Sequence, residues 1–153
     1  MDKNSVTFAV MREPKEDNYL IKNFQDLNSK KACFPEYGGL SWLSFINAAR
    51  QNNIISSKSC DYPLLVSELF SGACTPGIED FDHSSIAIPS NVSSKLCSAC
   101  KNQNDSSCAA NETNRYYGDK GAIQCLIDET GDIAFIEATN MFTISNKKQY
   151  NII

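Results

Sequence analysis

Seven cysteines, at positions 33, 60, 74, 97, 100, 108 and 125, are the residues of this chain most able to do chemistry. Cys97-Ser98-Ala99-Cys100 has the spacing of a zinc ligand pair or of a thiol-exchange motif. Zinc would need two further ligands, for which Cys108, Cys74 and His83, the single histidine, are at hand. A redox motif should open a helix directly after a strand, but here serines and asparagines surround it. Three N-x-S/T sequons, at Asn91, Asn104 and Asn111, lie in the same polar stretch. Cysteines and sequons clustered together favour an oxidising, secretory environment, so structural disulfides are the better reading. The odd count leaves one thiol to seek a partner elsewhere.

Other candidates are weaker. A thiol or serine nucleophile would have to use His83, which sits between Asp82 and Ser84 with no mark of a positioned base, and no G-x-S-x-G elbow is present. Gly38-Gly39 before an apolar helical stretch could bind an anion through free backbone N–H groups. No Lys, Arg or Thr follows directly, so a plain turn into the helix is favoured. Tyr116-Tyr117-Gly118-Asp119 could set phenol and carboxylate oxygens around a hard metal ion.

The elements that would position these groups are those of one domain of 153 residues, 42% hydrophobic and 21% charged. A net charge of −4 argues against a nucleic-acid partner, where a basic surface is expected. No apolar run approaches the roughly 18 residues of a membrane span. Met1-Asp2-Lys3-Asn4-Ser5 lacks an apolar signal-peptide core. With the odd cysteine, this suggests an internal piece of a longer secreted protein.

Val6 to Met11 reads as a short buried strand, and Lys30 to Phe34 as a second, closed by Pro35. Leu20 to Leu27 is ambiguous. Leu43, Phe45, Ile46 and Ala49 predict a helix over about 39–51 with these residues on its apolar face. A further helix follows Pro63 and runs to Gly72. Residues 73–118 read as a long irregular excursion needing cross-links. Gly121 to Ile127 predicts a helix, Asp132 to Glu137 a buried strand, and 146–153 a polar tail with no obvious seat. Alternating strands and helices indicate an α/β domain.

Gly121-Ala122-Ile123-Gln124-Cys125-Leu126 followed by Gly131-Asp132-Ile133-Ala134-Phe135 resembles the G-A-F-x-C-L…G-D-V-A-F signature of transferrins. Phe70 to Gly77 resembles their F-F-S-x-S-C-x-P-G element, Leu96 to Cys100 their L-C-x-L-C, and Lys30 to Cys33 their G-K-K-S-C. Ser59-Cys60-Asp61-Tyr62-Pro63 completes the series, and Cys33 to Gly39 is most like insect members. The resemblance implies the second subdomain of one lobe over residues 1–145, with 146–153 as a tail. The implied fold is a periplasmic-binding-protein-like (type II) mixed sheet with a disulfide-rich loop, from a secreted, non-enzymatic iron-transport protein.

It further implies the bridges Cys33–Cys125, Cys74–Cys100 and Cys97–Cys108. Cys60 is left to bond outward, to the absent first subdomain of the same lobe. A second lobe or a receptor are the other partners implied, and the three sequons would be glycosylated. In the family, two tyrosinates, an aspartate and a histidine hold ferric ion with a carbonate, which an arginine, a threonine and a helix N-terminus bind. Carried over residue by residue, one tyrosine falls on Ser5 or a neighbour in Asn4-Ser5-Val6, and the other on Asp119. The anion threonine falls on Pro35, and the arginine on Gly39 or a gap. Arg50 lies about 11 residues further on, roughly 16 Å along a helix and out of reach. No iron or carbonate is therefore expected to bind, which leaves a structural or partner-binding role. The alternative is weak or altered metal or anion binding through Asp119 and the helix start near Gly39.

Overall fold

The computed structural model describes residues 7–12, 21, 23–56, 58–80, 88–101, 107–137 and the backbone of 148–151. Five strands, β1 (Thr7–Met11), β2 (Lys31–Cys33), β3 (Gly72–Cys74), β4 (Ile133–Glu137) and β5 (Lys148–Asn151), form one sheet in the order β3-β2-β4-β1-β5. It is a mixed sheet. β2 runs parallel to β3 and β4, whereas β1 is antiparallel to β4 and β5. The near-continuous apolar runs of β1 and β4 follow from interior positions with both faces covered.

Among the described residues, four α-helices accompany the sheet, α1 (Leu40–Gln51), α2 (Tyr62–Leu69), α3 (Ser90–Cys97) and α4 (Gly118–Ile127), with one 3-10 turn at Phe24–Leu27. α1 buries Trp42, Phe45, Ile46, Ala48 and Ala49. Phe34, just beyond β2, centres the aromatic core: it stacks on Phe135 at 5.1 Å and meets Trp42 edge-on at 5.2 Å and Phe45 at 5.6 Å. α2 starts where the Asp61 side chain accepts from the Leu64 N–H, with Pro63 in its first turn.

Several expectations are corrected. Leu43 is 51% exposed, whereas Trp42 and Phe45, read as core by default for aromatic residues on a helix, are buried. α2 stops at Leu69 instead of reaching Gly72, because Phe70 turns extended to fill the core and lead into β3. The expected irregular excursion contains β3, α3 and the start of α4. Three residues in register with Lys31–Cys33 are too few to show a period, and α3 is polar except for Val92, Leu96 and Cys97. The stretch expected to lack a seat supplies β5, which pairs along β1 from Phe8↔Asn151 to Met11↔Lys148.

Three disulfides hold these elements: Cys33–Cys125 joins β2 to α4, Cys74–Cys100 joins β3 to the end of α3, and Cys97–Cys108 closes the loop beyond it. Cys60, between α1 and α2, is an exposed free thiol. Arg12 also staples the fold. Its guanidinium donates to the carbonyls of Leu126 at 2.7 Å and Gly131 at 2.5 Å, the carbonyl end of α4 and the turn after it.

Candidate functional site

The N-terminus of α4 is tied to the segment that leads into α1. β2 continues through Phe34 and Pro35 into a turn in which Gly38 adopts φ +75°, and Gly39 then caps α1 without a side-chain hydrogen bond. The Gly118 N–H donates to the Pro35 carbonyl at 2.9 Å, which brings the start of α4 to the same segment. Asp119 stands in the first turn of α4, where a carboxylate is favoured by the helix dipole. Leu40, Leu43 and Tyr117, on these first turns, are exposed.

The Glu36 side chain folds back over Gly39. A Cβ at Gly39 would lie 2.8 Å from Glu36 Cγ and 3.3 Å from its Oε1, so a carboxylate of the chain itself lies against the first residue of the helix cap. The Ser41 hydroxyl, in the first turn of α1, is buried without a hydrogen-bond partner, as are those of Thr7 and Thr75. Sequence reasoning missed Glu36, Tyr37 and Ser41. Only a small polar residue in the helix's first turn hinted at the last of them.

Of the tyrosines near the junction, Tyr117 is exposed at the cap of α4, Tyr116 is committed elsewhere and Tyr37 is partly buried. Tyr116 is 2% exposed, and its hydroxyl donates to Asp128 Oδ2 at 2.9 Å and lies 3.1 Å from the Thr130 hydroxyl, beyond the opposite end of α4. Asp128 also accepts from Arg115 Nε at 2.9 Å and Gln124 Nε2 at 2.7 Å. These contacts, Arg115 foremost, hold its carboxyl below the ordinary range against a smaller upward push from burial. Tyr37 packs against Trp42 at 5.3 Å, and burial, followed by the charge of Asp61, pushes its phenol above the ordinary value. Arg50 lies in the last turn of α1, away from Gly39, where it donates to the Tyr62 hydroxyl at 3.0 Å.

Among the described residues, one group of three could hold a metal: Glu79, Cys97 and Cys108. Both of its sulfurs are joined in a disulfide, which removes the thiolates that zinc requires. Cys97-Ser98-Ala99-Cys100 is likewise divided between two bridges.

The sequence profile of the family described as Transferrin matches residues 3–153. The chain belongs to the transferrin family. It is 30% identical to melanotransferrin of Homo sapiens over 148 residues, 95% of this chain and 19% of that protein. It is 35% identical to otolith matrix protein 1 of Danio rerio over 143 residues, 91% and 37% of the two chains. With transferrin of Blaberus discoidalis the identity is 28% over 150 residues, 92% and 20%. The chain thus spans about a fifth to two fifths of the length of these three relatives. Identity is similar across them, so they establish the family and not a subgroup.

Set against the family pattern, Pro35 and Gly39 both lie at the α1 junction and Asp119 opens α4 beside it. Ser5, His83 and the sequon Asn104 lie outside the described residues. Asn91 is exposed on α3, and Asn111 is exposed in the loop between Cys108 and α4.

Proposed function

We propose that this chain is the second subdomain of one lobe of a secreted transferrin-like protein of iron transport or homeostasis. The type II periplasmic-binding-protein-like architecture belongs to that reading. In it, the ferric and carbonate ligands of this lobe have been lost, and the domain serves a structural or partner-binding role without enzymatic activity. Its partners are the first subdomain, reached through Cys60, and a second lobe or a receptor.

One observation supports the reading: Tyr116, three residues from Asp119, where the family motif would put a phenolate, spends its hydroxyl on Asp128. Ferric ion is a hard trication that two phenolates and a carbonate would neutralise. The donors at this junction are the carboxylates of Asp119 and Glu36, the phenol of Tyr37, raised above its ordinary value, and that of Tyr117, two positions before Asp119. On the anion side, Pro35 has no N–H to give, and the Glu36 carboxylate would repel a second anion beside Gly39. These residues do not fit iron with carbonate. The alternative is weak metal or anion binding through Asp119 and the α1 start; among the described residues, the one group of three His, Cys, Asp or Glu ligands lies elsewhere, at Glu79, Cys97 and Cys108.

The test uses the complete protein that carries this domain. On adding chelated ferric ion and bicarbonate, this lobe should give no phenolate-to-iron absorption band. A band assigned to it would overturn the proposal. Titration calorimetry with the same ion separates a silent lobe from the weak binder.

A further inference from the structure

Asn111 and Asn91 carry the same acceptor motif in opposite backbone settings. At Asn111, the side-chain Oδ1 accepts from the Thr113 N–H at 3.0 Å and from the Thr113 hydroxyl at 2.6 Å, a closed Asx-turn in which Asn111, Glu112 and Thr113 are all exposed. The Ser107 hydroxyl lies 3.0 Å from that of Thr113. Below the turn, buried Asn114 donates to the Ala109 carbonyl at 3.1 Å and accepts from the Tyr116 N–H at 2.9 Å. The conformation is therefore anchored on both sides. Two donors on Oδ1 draw electron density from the carboxamide and make its Nδ2 protons easier to remove.

At Asn91 the corresponding donors are already spent. Asn91 is the second residue of α3, and the Ser93 N–H donates to the Pro89 carbonyl at 3.0 Å while its hydroxyl donates to the Ser90 carbonyl at 3.3 Å. Forming the same turn there would unwind the first turn of the helix and pull Val92, 4% exposed, out of the core. We infer that Asn111 is a glycosylated asparagine of this domain and that Asn91 stays bare.

The inference rests on the proposed passage through the secretory pathway. In the transfer, Asn111 Nδ2 forms a bond to the anomeric carbon of an oligosaccharide carried on a lipid pyrophosphate. The bond from that carbon to the pyrophosphate oxygen breaks, its electron pair leaves with the lipid pyrophosphate, and one Nδ2 proton passes to a base of the transferase.

The experiment expresses the full chain in a eukaryotic secretory cell, both as encoded and behind a cleavable leader, and maps glycan occupancy by mass at each asparagine. With the leader, Asn111 should carry glycan on most molecules and Asn91 on essentially none. Asn111→Gln and Thr113→Ala should abolish the Asn111 glycan, and Ser93→Thr should leave Asn91 bare. Glycan on Asn91 at the level of Asn111, or a bare Asn111, overturns the inference. The leader supplies entry to the secretory pathway, so this mapping tests the inference alone. Finding the complete protein that carries this domain in cells and not in the medium would sink the secreted reading and leave the inference standing.

Discussion

The Gly118 N–H and the Pro35 carbonyl, 2.9 Å apart, fasten the residue that opens α4 to the segment that leads into α1. Gly118 makes this bond at φ +78°, a left-handed conformation, and a Cβ there would meet nothing within 4 Å. Space is therefore not what demands glycine; the backbone is. Gly118→Ala should cost about 1–2 kcal/mol, and Gly118→Asn less, because asparagine tolerates this region better. Urea unfolding of the two variants checks both the size and the order.

Cys33–Cys125 closes 92 residues and Cys97–Cys108 only 11. On a chain-entropy basis, removing the first pair should cost roughly 4–5 kcal/mol and the second about 3. The longer bridge is also packed around a glycine: a Cβ on buried Gly131 would run into Cys33 Sγ. Gly131→Ala should then cost about 1–3 kcal/mol through overpacking. That penalty should shrink when Cys33 and Cys125 are both alanine, since removing the sulfurs removes the clash. Denaturant midpoints of the four chains close the cycle, and an undiminished penalty would refute the packing argument.

How much of this could be read in advance depends on how each residue earns its place. β1, α1 and β4 carry long apolar runs or helical spacing, so they were legible. β3 has three residues and α3 a mostly polar face, and both exist through tertiary contact with β2 and the disulfide core. Leu43 also fits the apolar spacing of α1, but Phe34 and Tyr37 pack on Trp42, and Leu43 is left exposed. At the site, the family motif points to Pro35, Gly39 and Asp119. The fold-back of Glu36 and the neutral Tyr37 were not, because both depend on the left-handed turn at Gly38 and on Asp61, which is 24 positions away in sequence.

Tyr37 offers a direct check on the claim that no phenolate is available near α1. Its ionisation is raised above about 10, by burial first and Asp61 second. In an alkaline titration followed by tyrosinate absorption, the Tyr37→Phe chain should lack a late-ionising phenol present in the parent. Asp61→Asn should move that phenol down only part of the way, because burial remains. A raised acid favours its neutral form in the fold, so the associated stability is present below the unfolded value and is lost as pH rises through the folded one.

Asp128 has the opposite sign. Arg115, Gln124 and Tyr116 hold its carboxyl below the ordinary range near 4, so the folded chain prefers the ionised form more than the unfolded chain does. The stability gained is full above the unfolded value and is lost as pH falls through the lower folded one. Unfolding midpoints should therefore drop on the acid side of pH 4, and Asp128→Asn should flatten that part of the curve. Tyr116→Phe keeps the buried ring but deletes the hydroxyl that reaches Asp128 and Thr130. It should cost about 1 kcal/mol at neutral pH, and less once Asp128 is protonated. Since Tyr116 stands three residues from the position of Asp119, the pair also separates two roles for this phenol. A tyrosine held for metal would leave the acid curve untouched on conversion to phenylalanine, whereas a brace for the end of α4 must move it.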